Sequence, residues 1–108
     1  MLEIEPSTHD QEPCLRLKGT LTIYDVAGAK DPLGAALDRQ PTLRLDLAGL
    51  EELDTAGVQL LAWLKQEAAR RGRTLALSAH SPAVVEVFDL LQVSGLFGDP
   101  ILLAPTPS

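Results

Sequence analysis

Residues 43–77 constrain this chain more than any other stretch, because they read as strand, turn, helix and strand in immediate succession. Leu43, Leu45 and Leu47 alternate with Arg44 and Asp46, the period-2 pattern of a half-buried strand. Residues 48–53 then bring the chain to Asp54-Thr55-Ala56-Gly57, where the pattern changes. From there Gly57, Leu60, Leu61, Leu64 and Ala68 fall on one face of a helix of about 3.6 residues per turn. Arg70, Arg71 and Gly72 supply a basic last turn and a glycine C-cap.

Around this unit the chain alternates strands and helices. Residues 2–5 and 14–18 predict a β-hairpin joined by the polar loop 6–13, with Leu15 and Leu17 on one face. A helical region containing Val26, Ala27, Leu33, Ala36 and Leu37 follows Gly19-Thr20-Leu21-Thr22. Within it Asp31-Pro32 reads as a cap followed by proline at the first helical position, so a restart or kink is expected there. Residues 73–79 give a further strand with Leu75 and Leu77 inward. Ser81-Pro82 opens a helix through Val84, Val87, Phe88 and Leu91. A helical turn at 94–97 and a final strand at 101–103 are expected to close a single domain over residues 1–104, leaving 105–108 as a loose tail. The expected class is α/β, a mixed sheet of four to five strands with the helices layered on one face.

Composition narrows the function. The chain has 108 residues, 45% of them hydrophobic, which suits one compact domain. Nine Lys plus Arg against fifteen Asp plus Glu leave a formal charge of −6, which disfavours attraction to nucleic acid phosphates. No apolar run approaches the ~20 residues that span a bilayer, and the first ten residues do not resemble a signal peptide. A cytoplasmic protein with no direct membrane insertion is expected. The one cysteine, Cys14, allows no internal disulfide and reads as a small packing residue.

Catalytic candidates are few. His9 lies in a loop and His80 precedes the Ser81 cap, so both read as solvated or cap-associated. There is no glycine-rich phosphate loop, no GxSxG elbow and no spaced set of metal ligands. Asp46 should alternate outward on its strand, and Asp54 is placed to cap a helix. No enzyme activity, cofactor or metal is expected.

Thr55 has two readings. Either Asp54 or Thr55 satisfies free N–H groups at the helix start, a role worth about 1 kcal/mol. Alternatively Thr55 is a switchable hydroxyl. A phosphate there would bring about two negative charges to a helix N-terminus, which accepts anions, while a partner docked over that surface would meet new charge and bulk. Thr55, Gln59, Trp63 and Gln66 share a face roughly opposite the apolar stripe. Trp63 therefore stands either beside these polar residues as an interface anchor or on the flank, covering the edge of the core.

The run Leu45-Asp46-Leu47-Ala48-Gly49-Leu50 followed by Leu53-Asp54-Thr55-Ala56-Gly57 resembles the strand, loop and Asp-Ser/Thr-x-Gly signature of the STAS domain. Gly19-Thr20-Leu21 is similar to that family's glycine-containing turn after the second strand. The resemblance covers nearly the whole chain and implies a protein-binding module like the anti-sigma factor antagonists. It implies a partner surface around the start of the second helix, formed by Asp54, Thr55, Ala56, Gly57, Val58, Gln59 and Trp63, with Thr22 nearby. It also implies that Thr55 corresponds to the phosphorylated Ser/Thr of regulatory members, whose partner is an anti-sigma factor that is itself a serine-threonine kinase. Threonine here also occurs in the STAS accessory subunit of a phospholipid-transport ABC transporter, at its contact with the ATPase subunit. A third branch works beside chemotaxis-type signalling proteins.

Overall fold

The leucine alternation at 43–47 is the first half of a longer strand. The computed structural model describes residues 1–9, 11–79 and 81–91. Within them the chain runs β1 (Leu2–His9), β2 (Glu12–Leu21), α1 (Val26–Leu37), β3 (Thr42–Leu53), α2 (Thr55–Arg70), β4 (Thr74–Ser78) and α3 (Pro82–Leu91). These strands form one sheet in the order β1-β2-β3-β4. β1 and β2 are an antiparallel hairpin, whereas β2–β3 and β3–β4 are parallel, so α1 and α2 are the crossovers that parallel neighbours need. The expected helical turn at 94–97, the strand at 101–103, the tail at 105–108 and His80 lie outside the described residues.

The helices cover one face of this mixed sheet, as the patterning predicts. Leu17, Leu21, Leu45, Leu47 and Leu75 from the strands meet Leu33, Leu37, Leu61, Leu64, Val84 and Phe88 from the helices in one core. The other face carries charge: Arg16 lies 3.5 Å from Asp46, Lys18 3.8 Å from Glu5 and Arg44 3.9 Å from Glu12. Such partly solvated pairs add little stability, but they keep that face polar.

Four local features differ from the sequence reading. β3 does not give way to a loop after Leu47; it continues to Leu53 through two register shifts against β2. Each shift inserts one extra residue, so the inward leucines change spacing from two to three, giving Leu47, Leu50 and Leu53, all buried. Asp46 Oδ1 accepts the Ala48 N–H at 2.9 Å inside the first shift, and a Cβ at Gly49 would sit 2.7 Å from Lys18 Cγ. Gly19 likewise lies within β2 rather than in a turn after it, at φ +90, where a side chain would overlap the Met1 carbonyl.

α1 runs unbroken through Pro32. The proline ring faces the carbonyl of Gly28 four residues back, both on the exposed side of the helix, while Ala29, Leu33, Ala36 and Leu37 pack both halves of α1 on the core. The hairpin is also longer than expected, with Pro6 and Pro13 inside its strands. Among the described residues β1 is an edge strand, where the missing N–H of Pro6 is tolerated, and Pro13 precedes the part of β2 that pairs with β3.

α2 and α3 follow their sequence signals closely. Gly57, Leu60, Leu61, Leu64 and Ala68 are buried, joined by Val58. At the C-terminus of α2, Gly72 has φ +70, its N–H donates to Ala69 O at 3.2 Å, and the Arg73 N–H donates to Ala68 O at 2.7 Å, which is a Schellman cap. Ser81 Oγ accepts the Val84 N–H at 3.2 Å ahead of Pro82. No helix among the described residues is long and apolar enough to cross a membrane.

Candidate functional site

The start of α2 lies where the end of β3 meets the end of β2, because Gly57 packs its bare Cα against the Leu21 carbonyl. A Cβ there would overlap that oxygen and come within 2.6 Å of Leu53 Cδ1. The helix terminus is thereby pinned to the ends of the two central strands. Asp54 is the N-cap, in an extended conformation, with Oδ1 accepting the Gly57 N–H at 3.0 Å. Its second oxygen, Oδ2, accepts the Ile23 N–H at 2.9 Å, from the loop between β2 and α1. One carboxylate therefore joins the first turn of α2 to a segment 31 residues earlier in the chain.

Capping falls to Asp54, and Thr55 is left free. Thr55 is exposed, and its hydroxyl has no hydrogen-bond partner among the described residues. Gln59, one turn on, is also exposed, and Ala56 is half-buried. Gly57 and Val58 are buried and hold the helix in place rather than facing outward. Thr22 is buried as well.

Thr22 shapes the neighbouring loop. Asp25 Oδ2 accepts the Thr22 N–H at 3.0 Å, the Thr22 hydroxyl at 3.0 Å and the Thr20 hydroxyl at 2.9 Å. The Thr22 carbonyl accepts the N–H groups of Asp25 and Val26 at 2.8 and 3.1 Å. Burial alone pushes the Asp25 carboxyl up; the Thr22 N–H and the Thr20 and Thr22 hydroxyls outweigh it, so the group sits below its ordinary value. This tight turn pushes Ile23 and Tyr24 into solvent, at 62% and 93% exposure. They are adjacent, largely exposed hydrophobic residues, and the Ile23 N–H ties their loop to the start of α2 through Asp54.

Sequence reasoning passed over Ile23 and Tyr24. The available signal was an Ile-Tyr pair bracketed by Thr22 and Asp25, two turn-forming residues, outside any amphipathic period. Trp63 takes the flank position of its two readings. It is half-buried where α1 meets α2, with Lys30 Nζ 4.7 Å from its ring centroid and its Cη2 edge 3.5 Å from where a Gly34 Cβ would lie.

Comparisons with known proteins agree with this fold. A family model described as "Mlab, STAS domain" matches residues 4–103. No curated protein matches the sequence. Among solved structures, an anti-sigma factor antagonist from Mycobacterium paratuberculosis is similar at a TM-score of 0.76 and 21% identity, over 94% of this chain and 88% of that one. The anti-sigma factor antagonist SpoIIAA in its unphosphorylated form gives 0.67 and 24%, over 93% and 90%. The Bacillus cell fate determinant SpoIIAA in its phosphorylated form gives 0.62 and 19%, over 94% and 93%.

Proposed function

The chain belongs to the STAS domain family, and from that premise we propose that it is a non-catalytic regulatory module of the anti-sigma factor antagonist type. It works in the cytoplasm, binds a partner kinase or anti-sigma factor around the start of α2, and is released by phosphorylation of Thr55. The observation that carries this reading is the division of labour between neighbours. Asp54 supplies the cap, so the exposed Thr55 hydroxyl has no structural duty and is open to modification.

The contact surface is Asp54, Thr55, Ala56 and Gln59, extended by Ile23 and Tyr24 and reached by the exposed edge of Trp63. Gly57, Val58 and Thr22 hold it in shape from beneath. Tyr24 is the natural anchor, since a large aromatic ring in solvent gains most when a partner pocket covers it. A phosphate on Thr55 sits at a helix N-terminus and costs the fold little, but it places charge in a contact built around a small neutral group. A fold neighbour that exists in both unphosphorylated and phosphorylated forms is consistent with such a cycle.

A second reading, the STAS accessory subunit of a phospholipid-transport ABC transporter, is favoured by two observations. The matching family model is the one described as Mlab, and residue 55 is threonine rather than serine. There the same surface would hold the ATPase subunit without any phosphate.

One experiment tests both readings: capture of partners from native cytosol and membranes on wild-type, Thr55→Ala and Thr55→Glu baits, with identification by mass spectrometry and mapping of phosphothreonine. The antagonist reading predicts a kinase that wild type and Thr55→Ala retain and Thr55→Glu loses. Recovery of a transporter ATPase with no phosphate at Thr55 would replace it by the second reading. Equal capture by all three baits would rule out the switch.

A further inference from the structure

We propose that Asp54 transmits the charge state of Thr55 to the Ile23–Tyr24 loop, so that a charge added at Thr55 loosens the exposed hydrophobic pair as well as crowding the interface. This inference rests on the reading of Thr55 as the switch residue and states how the switch reaches the rest of the surface.

The two oxygens of Asp54 serve two different elements. Oδ1 holds the Gly57 N–H of α2 and Oδ2 holds the Ile23 N–H of the loop. The helix side cannot follow a displaced carboxylate, since Gly57 is wedged on the Leu21 carbonyl. The loop side is anchored at its ends, by Asp25 to Thr20 and Thr22 and by the Thr22 carbonyl to Asp25 and Val26. Between those anchors, the Ile23 and Tyr24 side chains are largely exposed and lie outside the core cluster of the described residues. Among the described residues their own N–H groups are held by side-chain acceptors: Ile23 N–H by Asp54, and Tyr24 N–H by Thr22 Oγ1 at 3.3 Å, the longer of the two.

The charge arrives as a phosphoryl group from a nucleoside triphosphate. The Thr55 Oγ–P bond forms, the bond from the terminal phosphorus to the leaving diphosphate breaks, and the hydroxyl proton passes to a base on the kinase. The resulting dianion is one residue from the Asp54 carboxylate and competes with it for the N–H groups of the first helical turn. Repulsion turns the carboxylate, and the Ile23 N–H loses its acceptor. Asp54 is in this sense a positioning residue: it presents Ile23 and Tyr24 when Thr55 is neutral and lets them go when Thr55 is charged.

Amide hydrogen exchange and chemical shifts of Ile23 and Tyr24 test the coupling in the isolated protein, with Thr55→Glu, its neutral isostere Thr55→Gln, Asp54→Asn, and Asp54→Asn combined with Thr55→Glu. Thr55→Glu should speed exchange at Ile23 about tenfold, as loss of one charge-assisted hydrogen bond implies, while Thr55→Gln leaves it unchanged. In the Asp54→Asn background the Glu substitution should add nothing further. If that background fails to fold, Asp54→Ser, which keeps a capping oxygen without charge, takes its place. Unchanged protection of Ile23 in Thr55→Glu, or an equal effect with and without the Asp54 carboxylate, would overturn the coupling. Partner binding by the same variants separates the two claims. Lost binding with an intact loop defeats the coupling and spares the switch, whereas a loosened loop with intact binding does the reverse.

Discussion

Residue by residue, the start of α2 sets a capping carboxylate beside an exposed hydroxyl. Asp54 accepts from Gly57 and Ile23, so Asp54→Ala removes a cap and a tertiary tie and should cost about 2 kcal/mol in urea unfolding. Thr55→Ala removes a hydroxyl bonded to nothing described and should shift stability by less than about 0.5 kcal/mol. A larger loss at Thr55 than at Asp54 would return the capping role to the threonine. Gly57→Ala should be worse than an ordinary surface change, about 2 kcal/mol, because its methyl would be driven into the Leu21 carbonyl. Asp25 gives a pH signature. Its folded carboxyl is depressed, so its contribution is complete above the ordinary carboxylate range near pH 4 and disappears as pH falls through the lower folded value. Wild type should therefore lose stability more steeply with acid than Asp25→Asn; parallel acid profiles would mean that the carboxylate holds nothing.

Among the elements, the contact between α1 and α2 sets the flank of the site. Arg71 Nη1 donates to Gly34 O at 2.9 Å and to Asp38 Oδ2 at 3.0 Å, and its Nε donates to Glu67 Oε1 at 3.1 Å. Arg71→Ala should cost about 1 kcal/mol and alter the environment of Trp63, which packs in the same junction; an unchanged tryptophan emission would show the two helices to be held otherwise. Elements with one clean period were legible in the sequence: the stripe and caps of α2, the Ser81-Pro82 opening of α3, and the first half of β3. The second half of β3 was not, because two register shifts turn a period of two into a spacing of three, which imitates neither strand nor helix. Pro32 misled as well. The local breaking signal was overridden by packing: Ala29, Leu33, Ala36 and Leu37, on both sides of the proline, are buried in the core.

Over the whole molecule, the candidate surface sits on the outside of the core, with Val58 beneath it. The buried leucines are between the sheet and its helices, whereas Thr55, Gln59, Ile23 and Tyr24 lie outside that core. The candidate surface was half legible for this reason. Thr55 announced itself through the strand-to-helix motif, but Ile23 and Tyr24 are exposed only because three threonine-derived hydrogen bonds to Asp25 fold the loop outward. A charge at Thr55 should thus leave global stability nearly intact: Thr55→Glu should melt within about 4 °C of wild type, the shift that about 1 kcal/mol produces in a domain this size. The most direct measurement is the affinity of the proposed kinase partner, once recovered on the wild-type bait, for the purified protein before and after phosphorylation, with Thr55 verified as the modified residue. The account predicts firm binding to the unmodified protein and none measurable to the phosphorylated one, with both folded. Equal affinity for the two forms would contradict it.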